Sequence, residues 1–233
     1  MEPRALVVAT RNRHKVEEIR ALLAGLPVRL LSLDDAKVTQ ELVEDGATFA
    51  ENAAAKAEQA AAACGLWCLA DDSGLEVDAL GGRPGVISAR YSGPGATDKS
   101  NNEKLVAEAR AAGLVKPRAR FRCTAALRGP DGEPPFEGLR DSGALPMPGE
   151  ARPAEVSLDG RTLTVDGAVE GLLVEEPRGG GGFGYDPHFL LPELGKTMAE
   201  LAPAEKNRIS HRSRAFGRMR TVLERLIPAG APR

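Results

Sequence analysis

Short apolar runs and segments of helical period alternate along this chain, and that alternation limits what it can build more than any other feature. Ala5 to Ala9 reads as a buried strand. The polar turn Thr10 to His14 follows, and then a helix in which Val16, Ile19, Leu22 and Leu23 recur at helical spacing until Gly25 stops it. Thr48 to Cys64 is an Ala-rich helix, with Thr48-x-x-Glu51 as a capping box and Gly65 as its C-terminal stop. Leu66 to Ala70 is the next strand, Asp98 to Ala112 the next helix with Thr97 as its cap, and Ala119 to Leu127 a further strand. Such alternation predicts an α/β layered fold.

At 233 residues, length over about 150 gives one to two domains. We expect one domain, 1–233, with a cleft. Hydrophobic residues at 42% and charged residues at 27% match ordinary globular usage. A formal net charge of -2 gives no electrostatic footprint for nucleic acid and no polybasic membrane patch, which favours a small, locally recognised ligand. Cys64, Cys68 and Cys123 form no even disulfide framework, and Cys64-x-x-x-Cys68 lacks zinc-knuckle spacing, so they read as reduced core residues of a cytoplasmic protein. Neither a signal-peptide core nor an apolar run of about 18 residues occurs, so no membrane or export role is expected.

From Gly129 onward Pro and Gly concentrate without a sustained period, which marks an insertion about 134–160, an excursion or an inserted hairpin. Arg161 to Val165 and Ala168 to Val174 flank Asp166-Gly167, a strong hairpin signal. A C-terminal helix opens at Pro203 and runs to about Leu226, with Ile209, Phe216, Met219, Leu223 and Leu226 as its core face.

Several chemistries drop out. Gly195-Lys196-Thr197 imitates the end of a P-loop, but Leu190 stands where that motif needs glycine and Pro192 interrupts it. No nucleophile elbow occurs, and GGGGFG lacks the context of a dinucleotide fingerprint. What remains is charge. In LADDSGLEV, Asp71 and Asp72 follow a buried strand side by side, an arrangement that costs stability unless a cation, a proton or backbone N–H groups offset it. Two readings stand: a turn, or a metal or catalytic site. Cations cluster at Arg11 to Lys15 and Lys206 to Arg220, while Glu41 to Asp45 and Asp71 to Asp78 are acidic. A polyphosphate bound with Mg²⁺ needs this mixture, because hard cations take carboxylate oxygens while phosphates take Lys, Arg and helix N-termini; solvated charged faces give the same pattern. The turn from Thr10 to Lys15 either presents an anion site at a helix N-terminus or merely caps the helix through Thr10 or Asn12. GGGGFGYDP is either a ligand-facing loop, with Phe183 and Tyr185 as stacking surfaces, or a plain Gly-rich turn. Lys206, His211 and Arg212 are either donors over a site or part of an exposed basic helix.

Five ordered blocks, VVATRNRHKVEEI, TFAENAAAKA, LADDSGLEVDALGGRPGVISARYSG, GGFGYDPHF and EKNRISHRSRAF, resemble the inosine triphosphate pyrophosphatase family. The resemblance runs from Val7 to Phe216 and departs from the family in the Pro/Gly-rich insertion and at Arg11, where a glycine is common. It implies a long mixed twisted sheet with flanking helices, two lobes around a deep central cleft, and a homodimer. It also implies Mg²⁺-dependent hydrolysis of deaminated purine nucleoside triphosphates such as ITP, dITP and XTP to the monophosphate and pyrophosphate, which keeps them out of DNA and RNA.

By the same resemblance Asp72 is the catalytic carboxylate and a metal ligand, with Glu44 the second metal carboxylate and Asp71 an orienting neighbour. Thr10, Arg11, Asn12, Arg13, His14, Lys15, Ser73, Phe183, Gly184, Tyr185, Asp186, Lys206, His211 and Arg212 contact the nucleotide, and Lys56 lies near its phosphates. Two other readings are open: a related enzyme acting on modified pyrimidine nucleotides, and a nucleotide-binding sensor without turnover.

Overall fold

The structure is a computed structural model that describes residues 4–130, 161–227 and the backbone of 156–159. In chain order the elements are β1 (Arg4–Val8), α1 (Arg13–Leu22), β2 (Val28–Ser32), α2 (Phe49–Cys64), β3 (Trp67–Val77), α3 (Asp98–Ala111) and β4 (Arg118–Arg128). After these come β5 (Val156–Asp159), β6 (Thr162–Leu173), β7 (Phe189–Leu191), β8 (Lys196–Thr197), α4 (Pro203–Ile209) and α5 (His211–Leu226). The strands form one mixed sheet in the order β2-β1-β3-β4-β6-β7-β8, with β5 paired to β6. β1 runs parallel to β2 and β3, whereas β6 is antiparallel to β5 and β7, and β7 to β8. This is the expected α/β class, a mixed sheet with flanking helices. No described helix is long and apolar enough to cross a membrane.

The chain divides into two compact units, one of Met1–Asp72, Cys123–Gly167 and Arg212–Arg233, the other of Ser73–Arg122 and Ala168–His211. In the first, the pleat sorts each strand between two cores. Leu6, Val8, Trp67, Leu69, Cys123, Ala125 and Leu127 join Ile19 after the start of α1 and Phe216, Met219, Val222 and Leu223 of α5. Val7, Ala9, Cys68, Ala70 and Ala126 join Ala53, Ala57, Ala60 and Ala61 of α2. Apolar cover on both sides explains why β1 and the start of β3 read as unbroken apolar runs. In the second unit Leu75, Val77, Leu105, Phe121, Val169, Tyr185, Phe189 and Met198 form a separate core, with Phe121 and Phe189 rings 4.6 Å apart.

α2 forms as its sequence predicts: Thr48 accepts from the Glu51 N–H, Glu51 accepts from the Thr48 N–H, and Gly65 closes the helix at φ 66°. Three expectations are corrected. Asp166-Gly167 makes no hairpin; both lie within β6, neither has positive φ, and Thr124 and Arg218 donate to Asp166. A residue pair inside a continuous strand of a sheet stays extended whatever its turn propensity. The hairpin instead joins β5 to β6, with Asp159 opposite Thr162. Asp71-Asp72 is no turn either, since β3 runs on through both to Val77. The C-terminal helix is two helices, broken where Ser210 takes ψ 161°. β2 carries no clear periodic signal and went unpredicted. Apart from β5, the expected insertion lies outside the described residues.

Candidate active site

Because successive side chains of a strand point to opposite faces, Asp71 and Asp72 are separated by the pleat despite being neighbours. Asp71 follows Leu69 onto the α1 and α5 side; Asp72 follows Ala70 onto the α2 side. Each then acquires its own cations. Both carboxylates are buried, at 0% and 5% exposure.

On the α2 side, the buried Lys56 ammonium lies 2.5 Å from Glu44 Oε1, 3.9 Å from Asp72 Oδ1, and donates to the Asp71 carbonyl at 2.6 Å. One ammonium therefore offsets two carboxylates. Asn52 donates to Asp72 Oδ2 at 3.0 Å and accepts from the Gly46 N–H at 2.8 Å. Burial raises the Asp72 pKa, opposed by Lys56, the Asn52 hydrogen bond and Lys15, while Glu44 adds to the rise. Asp72 is thus a stronger base than an ordinary carboxylate.

On the other side, Asp71 Oδ2 meets Lys15 Nζ at 3.0 Å and Arg212 Nε at 3.2 Å, and Arg212 reaches Glu18 at 3.3 Å. Burial lowers the Lys15 pKa, with Asp71 working against the shift. Asp71 is therefore an orienting group that holds two cations in place. Asn12 caps α1 by accepting from the Lys15 N–H, and Thr10 Oγ1 accepts from the Asn12 N–H. Arg13 and His14 are exposed in the first turn of α1. Arg11, expected among the nucleotide contacts, has its guanidinium on protein atoms in this structure. Its guanidinium binds Asp34 at 2.9 Å and the carbonyls of Val38, Thr39 and Gln40 at 2.9, 3.2 and 3.3 Å.

In the second unit, Asp186 Oδ2 accepts from the Phe183 N–H at 3.0 Å and from Lys206 Nζ at 2.7 Å, and that ammonium sits 4.8 Å from the Phe183 ring centre. Gly182 makes this possible: at φ 72° it has no side chain, and a Cβ there would lie 2.0 Å from Asp186 Oδ2. Gly184 is fastened to α3, its N–H to Asp98 at 2.7 Å and its carbonyl to Asn102 at 2.9 Å. Phe183 is partly exposed, as a stacking face requires. Tyr185 offers no such face; it is buried in the core with its hydroxyl donating to the Ser88 carbonyl at 2.8 Å. His211 is buried and stacks on Phe121 at 4.7 Å, and Ser73 follows Asp72 in β3, partly exposed.

Sequence reasoning missed Asn52, Gln59 and Glu18. A signal existed for the first two: with Lys56 they form a polar stripe at i, i+4 and i+7 along an otherwise Ala-rich helix. Among the described residues no three His, Cys, Asp or Glu side chains gather as a metal site. Glu44 and Asp72 nevertheless suit Mg²⁺, which takes one or two carboxylates together with substrate phosphates and water. Their oxygens already share a cation in Lys56.

The family model described as the Ham1 family matches residues 6–143 and 151–222. A dITP/XTP pyrophosphatase of Geobacter sulfurreducens is 46% identical over 218 residues, covering 94% of this chain and 96% of that one. The dITP/XTP pyrophosphatase of Bacillus subtilis is 42% identical, with 94% and 96% covered. Among solved structures, a HAM1 protein from Coxiella burnetii aligns with TM-score 0.78 at 37% identity over 95% of this chain and 99% of that one. The Staphylococcus aureus Ham1 protein aligns at 0.75 and 33%, over 96% and 100%. The family model, the full-length relatives and the solved structures agree that the chain belongs to the Ham1 family.

Proposed function

We propose that this protein, a nucleoside-triphosphate diphosphatase, hydrolyses the deaminated purine nucleotides dITP, ITP and XTP to monophosphate and pyrophosphate, with Mg²⁺ as cofactor. The observation that carries the reading is the Glu44–Lys56–Asp72 cluster, two carboxylates gathered around a single buried ammonium. Relatives at 46% and 42% identity bear the name dITP/XTP pyrophosphatase, which supports the substrate class.

Glu44 and Asp72 would hold the ion. Bound there, Mg²⁺ supplies neutralisation of the triphosphate and a more acidic water. Asp72, with its raised pKa and its orientation set by Asn52, accepts the proton of the attacking water. Lys15 and Arg212, pinned by Asp71, and the N-terminus of α1 bind the phosphates, and they need little reorganisation because their partners already fix them. For the base, Phe183 stacks and Lys206 donates to O6. Adenine presents an amino donor there, so the buried ammonium loses a partner, which costs roughly 1 to 3 kcal/mol and yields about ten- to a hundredfold discrimination. We further propose that the protein acts in the cytoplasm as a homodimer, which sedimentation at micromolar concentration tests.

The decisive experiment is pyrophosphate release from dITP, ITP, XTP, GTP, ATP and modified pyrimidine nucleoside triphosphates in parallel, with Mg²⁺ and with EDTA, using wild type and Asp72→Asn. Mg²⁺-dependent release confined to the first three, lost in Asp72→Asn, is the expected result. Full activity of Asp72→Asn would sink the assigned mechanism, and release from modified pyrimidine nucleotides alone would sink the assigned base.

A further inference from the structure

Glu44 lies in residues 38–48, between β2 and α2, where the chain has no regular secondary structure. A carboxylate on such a stretch is ordinarily mobile, because no ladder of backbone hydrogen bonds holds it. Here side chains replace the ladder. Gln59 of α2 pairs with Val43 as a neighbouring strand would, its Oε1 accepting from the Val43 N–H at 2.9 Å and its Nε2 donating to the Val43 carbonyl at 3.0 Å. Two residues beyond Glu44, the Gly46 N–H is held by Asn52 at 2.8 Å, and the Ala47 N–H by Glu51 at 2.7 Å. Upstream, Arg11 gathers the carbonyls of Val38, Thr39 and Gln40 onto one guanidinium and anchors the other end of it to Asp34.

The fit is close. A Cβ on Gly46 would lie 2.7 Å from Glu51 Cβ and 2.9 Å from Asn52 Oδ1, so the segment rests against the start of α2 only because that residue is glycine. Asn52 also ties the segment to the other carboxylate, since its amide nitrogen holds Asp72 Oδ2. The anchors thus bracket Glu44 on both sides and reference it to Asp72.

We propose that Gln59, Arg11 and Asn52 are positioning residues for the Glu44 carboxylate, fixing it relative to Asp72 before any cation or nucleotide arrives. This rests on the metal reading of Glu44 and Asp72. Preorganisation of this kind removes an ordering cost from metal binding, so its loss appears in metal affinity rather than in the chemical step. Arg11 on this view serves the reaction through the loop it holds.

The test uses the full chain, with Gln59→Ala, Gln59→Glu and Arg11→Ala. Mn²⁺ alone is titrated into nucleotide-free protein and followed by electron paramagnetic resonance of the free ion; hydrogen exchange reads the Val43 amide. Gln59→Ala is expected to weaken Mn²⁺ binding about tenfold, to raise the half-saturating Mg²⁺ for dITP by a like factor, and to leave kcat at saturating Mg²⁺ within about twofold. The Val43 amide should exchange faster. Gln59→Glu keeps the acceptor for the Val43 N–H and should fall between; Arg11→Ala should likewise weaken Mn²⁺ binding. Wild type and folded variants binding Mn²⁺ equally well would overturn this inference alone. Wild-type protein that bound no Mn²⁺ and released no pyrophosphate would overturn the metal reading, and the inference with it.

Discussion

Replacing Lys56 with Met is the most informative single perturbation of the carboxylate cluster. Methionine keeps most of the volume in this site, which is 4% exposed, so packing changes little. What is lost is the ammonium 2.5 Å from Glu44, 3.9 Å from Asp72 and 2.6 Å from the Asp71 carbonyl. Removing one partner of a buried ion pair costs about 3 to 5 kcal/mol. The Glu44 side chain is 33% exposed and recovers some hydration, so the lower end, about 3 kcal/mol, applies. For a chain of this size each 1 kcal/mol moves the melting temperature by about 2–4 °C, which gives a fall of about 6–12 °C in EDTA. Mg²⁺ should then raise the melting temperature of Lys56→Met more than that of wild type, because the ion no longer competes with the ammonium for the same oxygens. Differential scanning calorimetry in EDTA and in millimolar Mg²⁺ measures both. A fall under about 2 °C, or equal Mg²⁺ shifts in the two proteins, would refute the account of Lys56 as the resident counter-ion.

Three further outcomes follow from the second unit. Tyr185→Phe removes one buried hydrogen bond, to the Ser88 carbonyl, so stability should drop by about 0.5–1.5 kcal/mol while KM for dITP is unchanged; a raised KM at unchanged stability would restore Tyr185 as a nucleotide contact. Gly182→Ala forces an unfavourable left-handed φ and drives Asp186 off its place, and steady-state kinetics should show KM for dITP rising well above tenfold; wild-type KM would disprove the Asp186–Lys206 arrangement. The chain has two tyrosines, and both phenols are shifted up, Tyr91 to about 12 by burial and by its hydrogen bond to Glu108, Tyr185 beyond it by burial. A folded pKa above the unfolded value near 10 means stability is complete below pH 10 and lost as pH rises towards 12. Absorbance at 295 nm should show no tyrosinate in the native protein near pH 10, and titration there of either residue would contradict this packing.

Where local signals were redundant, the chain was legible. Thr48, Glu51 and Gly65 delimit α2 because a capping box and an αL glycine act within a few residues, and tertiary contacts only confirm them. Asp166-Gly167 shows the opposite case. Its turn chemistry is real, but Thr124 on β4 and Arg218 on α5, 42 and 52 residues away, hold Asp166 extended in β6. The break at Ser210 was hidden for a similar reason: Ile209 packs with the second core and Phe216 with the first, so one apolar stripe served two destinations.

The site divides along the same line. By itself the sequence determined the alternating α/β class and the adjacency of Asp71 and Asp72 at the end of an apolar strand; its family likeness singled out Glu44, Asp72 and Lys206. Only tertiary structure decided that the pleat gives each aspartate different cations, that Lys56 is shared by Glu44 and Asp72, and that Arg11 grips backbone carbonyls. It also decided that Tyr185 is core and that Asn52 and Gln59 hold the Glu44 segment. The reason is physical. Propensity and capping act over one or two turns of chain, whereas a charge takes its partners from whatever the fold brings within a few ångströms, at any separation in sequence.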